Sequence, residues 1–135
     1  MIKTIVVLDT NIFISAVFWE GKPYILVKKA INQEIIVFIS AHIIEEIRKV
    51  LVRDFNLTKQ EIDDIVSAVL YFTHLIEPKE KVDVIKEDPT DDRILECALA
   101  CNANFIVSRD NHLLNLKEFR GIKIASPEDF LKTLN

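Results

Sequence analysis

The chain has 135 residues, half of them hydrophobic and 28% charged, a composition that excludes a disordered tail or a fibre. Its formal charge of −4 argues against a passive nucleic-acid binder, which takes its affinity from basic residues, but not against an enzyme that meets phosphate through a divalent cation. The only glycines, Gly21 and Gly121, exclude a Walker A loop, a dinucleotide fingerprint and any other glycine-rich phosphate cradle.

In chain order, the β-branched run at 5–8 predicts a strand buried on both faces, and a short helix follows at about 11–18. Pro23 opens a helix to about 32, and 35–39 is a second strand. Apolar residues at 43, 44, 47, 50 and 51 predict an amphipathic helix over 42–52. Thr58-Lys59-Gln60-Glu61 is a capping box before a helix carrying Ile62, Ile65, Val66, Val69 and Leu70. Short strand pieces are expected at 75–76 and 82–85. Asp88-Pro89 starts the helix of Ile94, Leu95, Ala98 and Leu99. Strands at 105–107 and 122–124 follow, with a last helix from Ser126-Pro127.

This alternation predicts one α/β domain over 1–135 with a parallel sheet between helices. No apolar run reaches the ~20 residues of a membrane helix. Asp9 ends the N-terminal apolar run too early for a signal peptide, so a cytoplasmic location and no membrane contact are expected. Cys97 and Cys101, four apart on one helix face, read as buried reduced thiols, and the three histidines show no zinc spacing.

In parallel sheets, ligands bind outside the carboxyl ends of the strands. Asp9 follows the first strand and Asp110 follows the 105–107 strand, although either could simply cap the next helix. Asp88 is an N-cap and Asp91 stands in the capping-box position. Asp92 is left over, partly explained by the helix dipole. Helical phase turns Glu45 toward solvent and sets Glu46 at the edge of the apolar stripe. If Asp9, Glu46, Asp92 and Asp110 converge, their repulsion raises their pKa values or demands a cation. All-oxygen ligation suits Mg²⁺ or Mn²⁺, and the chemistry expected is phosphodiester hydrolysis.

Four segments carry a resemblance: Val7-Leu8-Asp9-Thr10-Asn11, the strand-to-helix stretch 40–47 ending Glu45-Glu46-Ile47, the stretch 88–98 with Asp92 in the acid's place, and the stretch 106–114 with Asp110. Together they resemble the PIN domain, a nuclease fold of many VapC-type toxins and RNA-processing factors, over essentially the whole chain. The resemblance implies a three-layer α/β/α fold with a roughly five-stranded parallel sheet. It further implies a metal-dependent endoribonuclease that uses one or two Mg²⁺ or Mn²⁺ ions on an RNA substrate. Asn11 and Ser108 would hold waters or phosphate, and Asp88 would stand behind the ligands. Asp91, nearer the apolar face by helical phase, could share or take the role of Asp92. Arg93 and Arg109, beside proposed ligands, are the expected phosphate contacts among a wider basic set that includes Lys22, Lys28, Lys29, Arg48, Lys49 and Arg53. A homodimer and a small antitoxin partner are expected on the same ground.

Three rivals stand beside this reading: a PIN-like binding module without catalysis, a housekeeping RNA-processing nuclease, and an aspartate phosphotransferase using Asp9. The last is disfavoured by Asn11, which stands where one such family has a second aspartate, and by the missing acid pair and late lysine of another.

Overall fold

The computed structural model describes residues 2–134. Its elements run β1 (Ile5–Leu8), α1 (Thr10–Phe18), α2 (Lys22–Ile31), β2 (Ile36–Ile39), α3 (Ala41–Phe55), α4 (Lys59–Phe72) and β3 (Thr73–Leu75), then α5 (Pro89–Ala100), β4 (Phe105–Val107), α6 (Asn111–Leu114), β5 (Glu118–Phe119), β6 (Ile122–Ala125) and α7 (Pro127–Lys132). The strands lie in the order β3-β2-β1-β4-β6-β5. All pairings are parallel except β5 with β6, and Val7 lies opposite Phe38 on one side and Ile106 on the other.

The sequence sets these elements through ordinary signals. Val6, Val7 and Leu8 are consecutive and fully buried, so both faces of β1 are covered, as a run without polar alternation requires. The Thr58 hydroxyl accepts the Glu61 N–H while the Glu61 carboxylate accepts the Thr58 N–H, completing the expected capping box of α4. Asp88 and Ser126 each cap a helix that has proline in its first turn. The third helix runs past the predicted 52 to Phe55, where Asn56 adopts φ 51° and ends it in the left-handed region. Helix α5 crosses β1, β2 and β4, burying Ile94, Leu95, Cys97 and Ala98. Both thiols are free and buried, and burial pushes them up to about 12 for Cys97 and about 11 for Cys101, so neither is a nucleophile at neutral pH.

Two expectations change. The sheet has six strands instead of roughly five, because 118–125 forms a hairpin whose first strand adds an antiparallel edge. Arg120 and Gly121 both have positive φ, 49° and 85°, the geometry of a two-residue hairpin turn that the lone glycine permits. The stretch 82–85 is not a strand. Its backbone N–H groups at Val82, Val84 and Ile85 bond to side-chain carboxylates of α5 instead of to a neighbouring strand. Among the described residues, no helix is long and apolar enough to cross a membrane.

Candidate functional site

From β1 the sheet continues through β2 and β3 on one side and through β4 and β6 on the other, so β1 and β4 meet where the strand order diverges. That divergence opens a crevice at their carboxyl ends. Asp9 and Asp110 stand there because each closes a strand and opens a helix. The Asp9 N–H extends the pairing by donating to the Val107 carbonyl at 2.9 Å. Its Oδ1 accepts the Thr10 N–H at 2.8 Å, and its Oδ2 accepts the Ser108 hydroxyl at 2.7 Å. The Ser108 oxygen in turn accepts the Asp110 N–H at 2.9 Å. One fully buried hydroxyl therefore ties the two acids together. Asp110 caps α6 by accepting the His112 N–H at 2.7 Å. Both acids thus cap helices, and both also face the same cavity.

The cavity has a volume of about 300 Å³. Asp9, Asp88, Asp91 and Asp110 line it with Asn11 and Thr90, as do His42, Glu45, Glu46, Lys49 and Arg53 of α3. Asp91 is 5% exposed, and its Oδ2 is buried without a hydrogen-bond partner. Its carboxyl is pushed up to about 8, chiefly by burial and then by the charges of Asp110, Asp9 and Asp88. Asp9 is also raised, by burial foremost; the Ser108 and Thr10 hydrogen bonds pull the other way, and Asp110 and Asp88 add to the rise.

Asp92 does not join this cluster. Its Oδ1 faces away and accepts the N–H groups of Val84 at 3.1 Å and Ile85 at 3.0 Å. The physical reason is helical phase: one residue turns the side chain about 100°, so neighbours on α5 serve different surfaces. Asp91, which the sequence left as an alternative, occupies the place expected of Asp92. Ser108, expected to hold water or phosphate, is fully buried and donates its one proton to Asp9 while accepting the Asp110 N–H. Asn11 is exposed and lines the cavity, and Asp88 lines it while capping α5 through the Thr90 N–H and hydroxyl.

On α3, Glu46 is half-buried and faces the cavity, as its phase suggested, but the exposed Glu45 also reaches the rim. Of the two arginines expected at phosphate, Arg93 lines the cavity while donating to Glu96 Oε2 at 2.8 Å and to the Val82 carbonyl at 3.3 Å. Arg109 pairs with Glu128 and lies outside the cavity lining. Lys49 and Arg53 take its place there, one turn apart on α3. Glu96 escaped the sequence reading. It is buried, and it accepts both Arg93 and the Val82 N–H at 2.9 Å. Its spacing of four from Asp92 was the available signal, since two acids at that interval share one helix face. His112, dismissed for lack of zinc spacing, stands beside Asp91 and Asp110.

These donors suit a divalent cation. One ligand atom each of Asp91, Asp110 and His112 lies within 4.8 Å of the others, and the unpartnered Asp91 Oδ2 stands 3.8 Å from His112 Nδ1. Clustered carboxylates in a polar crevice, one of them forced toward protonation, match the hard oxygen ligands that such ions take.

Comparison with known proteins agrees with this architecture. The chain resembles VapBC2 from Rickettsia felis, in a structure bound to a DNA fragment from their promoter, with TM-score 0.65 and 16% identity over 90% of this chain and 97% of that one. It resembles DNA-bound VapBC from Salmonella typhimurium with TM-score 0.63 and 16% identity over 94% and 99% of the two chains. FitAcB from Neisseria gonorrhoeae gives TM-score 0.60 and 15% identity over 91% and 98%. At these identities the likeness is one of fold. No curated protein matches the sequence at a significant level. The PIN domain family model matches residues 5–112, most of the length and all the crevice acids. The chain belongs to the PIN domain family.

Proposed function

We propose that this PIN domain is a metal-dependent endoribonuclease and the toxin of a toxin–antitoxin pair. The observation that carries the reading is the convergence of Asp9, Asp91 and Asp110 on one cavity, with a buried Asp91 oxygen left without a partner. A surface that only bound RNA would gain nothing from that concentration of negative charge, whereas a cation-dependent hydrolase requires it.

In this reading Asp9, Asp91 and Asp110 hold Mg²⁺ or Mn²⁺, and Glu46 faces them from α3. When bound there, such an ion neutralises charge on a phosphoryl oxygen and acidifies water for attack. The chain's own residues prepare the ground for it. Ser108 and the Thr10 N–H fix both oxygens of Asp9, so that its carboxylate does not swing, and Ser108 also fixes the backbone of Asp110. Lys49 and Arg53, which line the cavity on α3, meet the RNA backbone there, Arg53 exchanging its exposed pair with Asp54 for phosphate. Glu46 is positioned to take a proton or to hold water in the cleft. Its neighbour Glu45, at the rim, stays solvated.

A protein partner has its own support. A second, apolar hollow of about 870 Å³ is lined by Phe13, Val17, Tyr24, Ile31, Tyr71 and Phe72 among others, and Tyr71 is 87% exposed. Exposed apolar surface of this kind marks interaction sites. It supports an antitoxin or a second copy of the chain as a partner. The VapBC and FitAcB structures contain chains of this fold and are consistent with such a pairing.

Purified protein incubated with a mixed RNA pool in Mn²⁺, Mg²⁺ or EDTA tests the reaction. Metal-dependent cleavage that disappears in Asp9→Asn and Asp91→Asn is expected. Expression in a bacterial host tests the toxin assignment: growth arrest by the native chain, absent with Asp91→Asn, is the expected result. Equal cleavage in EDTA would overturn the metal-dependent reading.

A further inference from the structure

We propose that the imidazole of His112 joins Asp91 and Asp110 as a direct nitrogen ligand, giving the cation site a preference for first-row transition ions over Mg²⁺. The proposal rests on the reading of the carboxylate cluster as a cation site and assigns it a donor of a different chemical kind.

His112 follows Asp110 by two residues, and the Asp110 carboxylate fixes the intervening turn by accepting the His112 N–H. That turn carries the ring back over the cluster. Its Nδ1 lies 3.6 Å from Asp110 Oδ1 and 3.8 Å from Asp91 Oδ2. Both separations are too long for hydrogen bonds, so the nitrogen is not spent on either acid. Both are right for a shared ion, because two donors each about 2.1–2.2 Å from one cation lie at most about 4.4 Å apart. The Asp91 oxygen in this trio is the one that is buried and has no partner, on a side chain only 7% exposed. The unsatisfied acceptor and the second carboxylate therefore both stand within 3.8 Å of the ring nitrogen, near enough to share an ion with it.

The chemistry of the ring decides the preference. Mg²⁺ keeps to oxygen and retains its waters, whereas imidazole suits transition ions. Mn²⁺ sits at the weak end of that series, so a preference visible with Mn²⁺ is a stringent sign of the nitrogen. The ring is 44% exposed, and among the described residues Nδ1 makes no hydrogen bond, its nearest acids standing at 3.6 and 3.8 Å.

The test uses the full chain and its His112→Ala variant, loaded with Mn²⁺ and studied by pulsed electron paramagnetic resonance, with Mn²⁺ and Mg²⁺ affinities measured by calorimetry. Native protein is expected to show nitrogen hyperfine coupling from a bound imidazole. His112→Ala should lose that coupling and bind Mn²⁺ at least about tenfold more weakly, with Mg²⁺ affinity changed by less than about threefold. Circular dichroism checks that the variant is folded, as expected for an exposed position. Mn²⁺ bound without nitrogen coupling overturns the role of His112 and leaves the carboxylate site standing. Coupling that persists in His112→Ala assigns the nitrogen to another ring, such as His42 of the cavity lining, and overturns it equally. No Mn²⁺ binding at all overturns the cation site itself and the proposed function with it.

Discussion

The two faces of α5 put neighbouring aspartates to opposite uses. Toward the crevice, Asp91 is crowded by three other carboxylates, keeps an oxygen without a partner and is held near protonation. On the adjoining face, Asp92 and Glu96 are as deeply buried but each has one oxygen well supplied with donors: Asp92 Oδ1 accepts the Val84 and Ile85 N–H groups, and Glu96 Oε2 accepts the Val82 N–H and the Arg93 guanidinium. The same chemical group is a liability in one setting and a fastener in the other. What separates them is the supply of donors, because a buried carboxylate with N–H partners stabilises and one without them destabilises. Frustration of this kind is expected at functional sites, where the fold supports an arrangement that folding alone would not favour.

The comparison breaks most sharply on activity. Asp91→Asn should reduce metal-dependent RNA cleavage by about a hundredfold or more, in line with loss of a charge-stabilising group in a catalytic centre, and Asp92→Asn should reduce it far less. Single-turnover cleavage of one defined RNA by both variants checks this; equal losses would mean that both faces belong to the site. Stability should change in the reverse order. Asp92→Ala strands two backbone N–H groups and is expected to cost about 2–5 kcal/mol, with Glu96→Ala close behind because it strands Val82 and Arg93 together. Urea denaturation of metal-free protein measures these losses. Asp91→Asn should be neutral or stabilising in the same experiment, since an amide sits among the neighbouring carboxylates without the proton uptake that the raised Asp91 carboxyl requires on folding.

On α3 the expected contrast is smaller. Glu46→Gln should slow cleavage about tenfold or more, and Glu45→Gln by less than about threefold, because the half-buried side chain faces the acids and the exposed one sits at the rim. A reversed order would place the working glutamate at Glu45. The subtlest difference is a pH dependence. Asp91 has a folded-state value of about 8 against an ordinary 3.8, so the native state holds a proton that the unfolded chain releases earlier. Its favourable contribution is complete below the ordinary value and is lost as pH rises through about 8. Metal-free protein should therefore lose melting temperature between pH 5 and pH 9. Asp91→Asn should flatten that slope, and added Mn²⁺ should restore the alkaline stability of the native chain. A slope unaffected by the substitution would assign it to another group.

The sequence by itself determined most of the elements, their caps and which acids follow strands. Val6-Val7-Leu8 reads as a strand covered on both faces, Thr58 to Glu61 as a helix start, and Asp9 and Asp110 as acids that each follow a strand; that they meet rests on β1 and β4 being parallel neighbours in the folded sheet. Short-range signals of this kind are set by periodicity and by local hydrogen bonds, which a chain carries in its own order. Tertiary structure decided the rest. Whether Asp91 or Asp92 faced the crevice depended on how α5 was rotated on the sheet, a matter of packing around Leu95 and Ala98. The fate of 82–85 depended on Asp92 and Glu96 offering acceptors from a helix still to come, and the sixth strand on a turn at Arg120-Gly121 reaching the sheet edge. The nearness of His112 to Asp91, two residues on different elements, is likewise a product of the crevice and not of spacing. A lone histidine, a second acid or an apolar stretch has no meaning until long-range contacts give it neighbours, and those contacts are what folding adds.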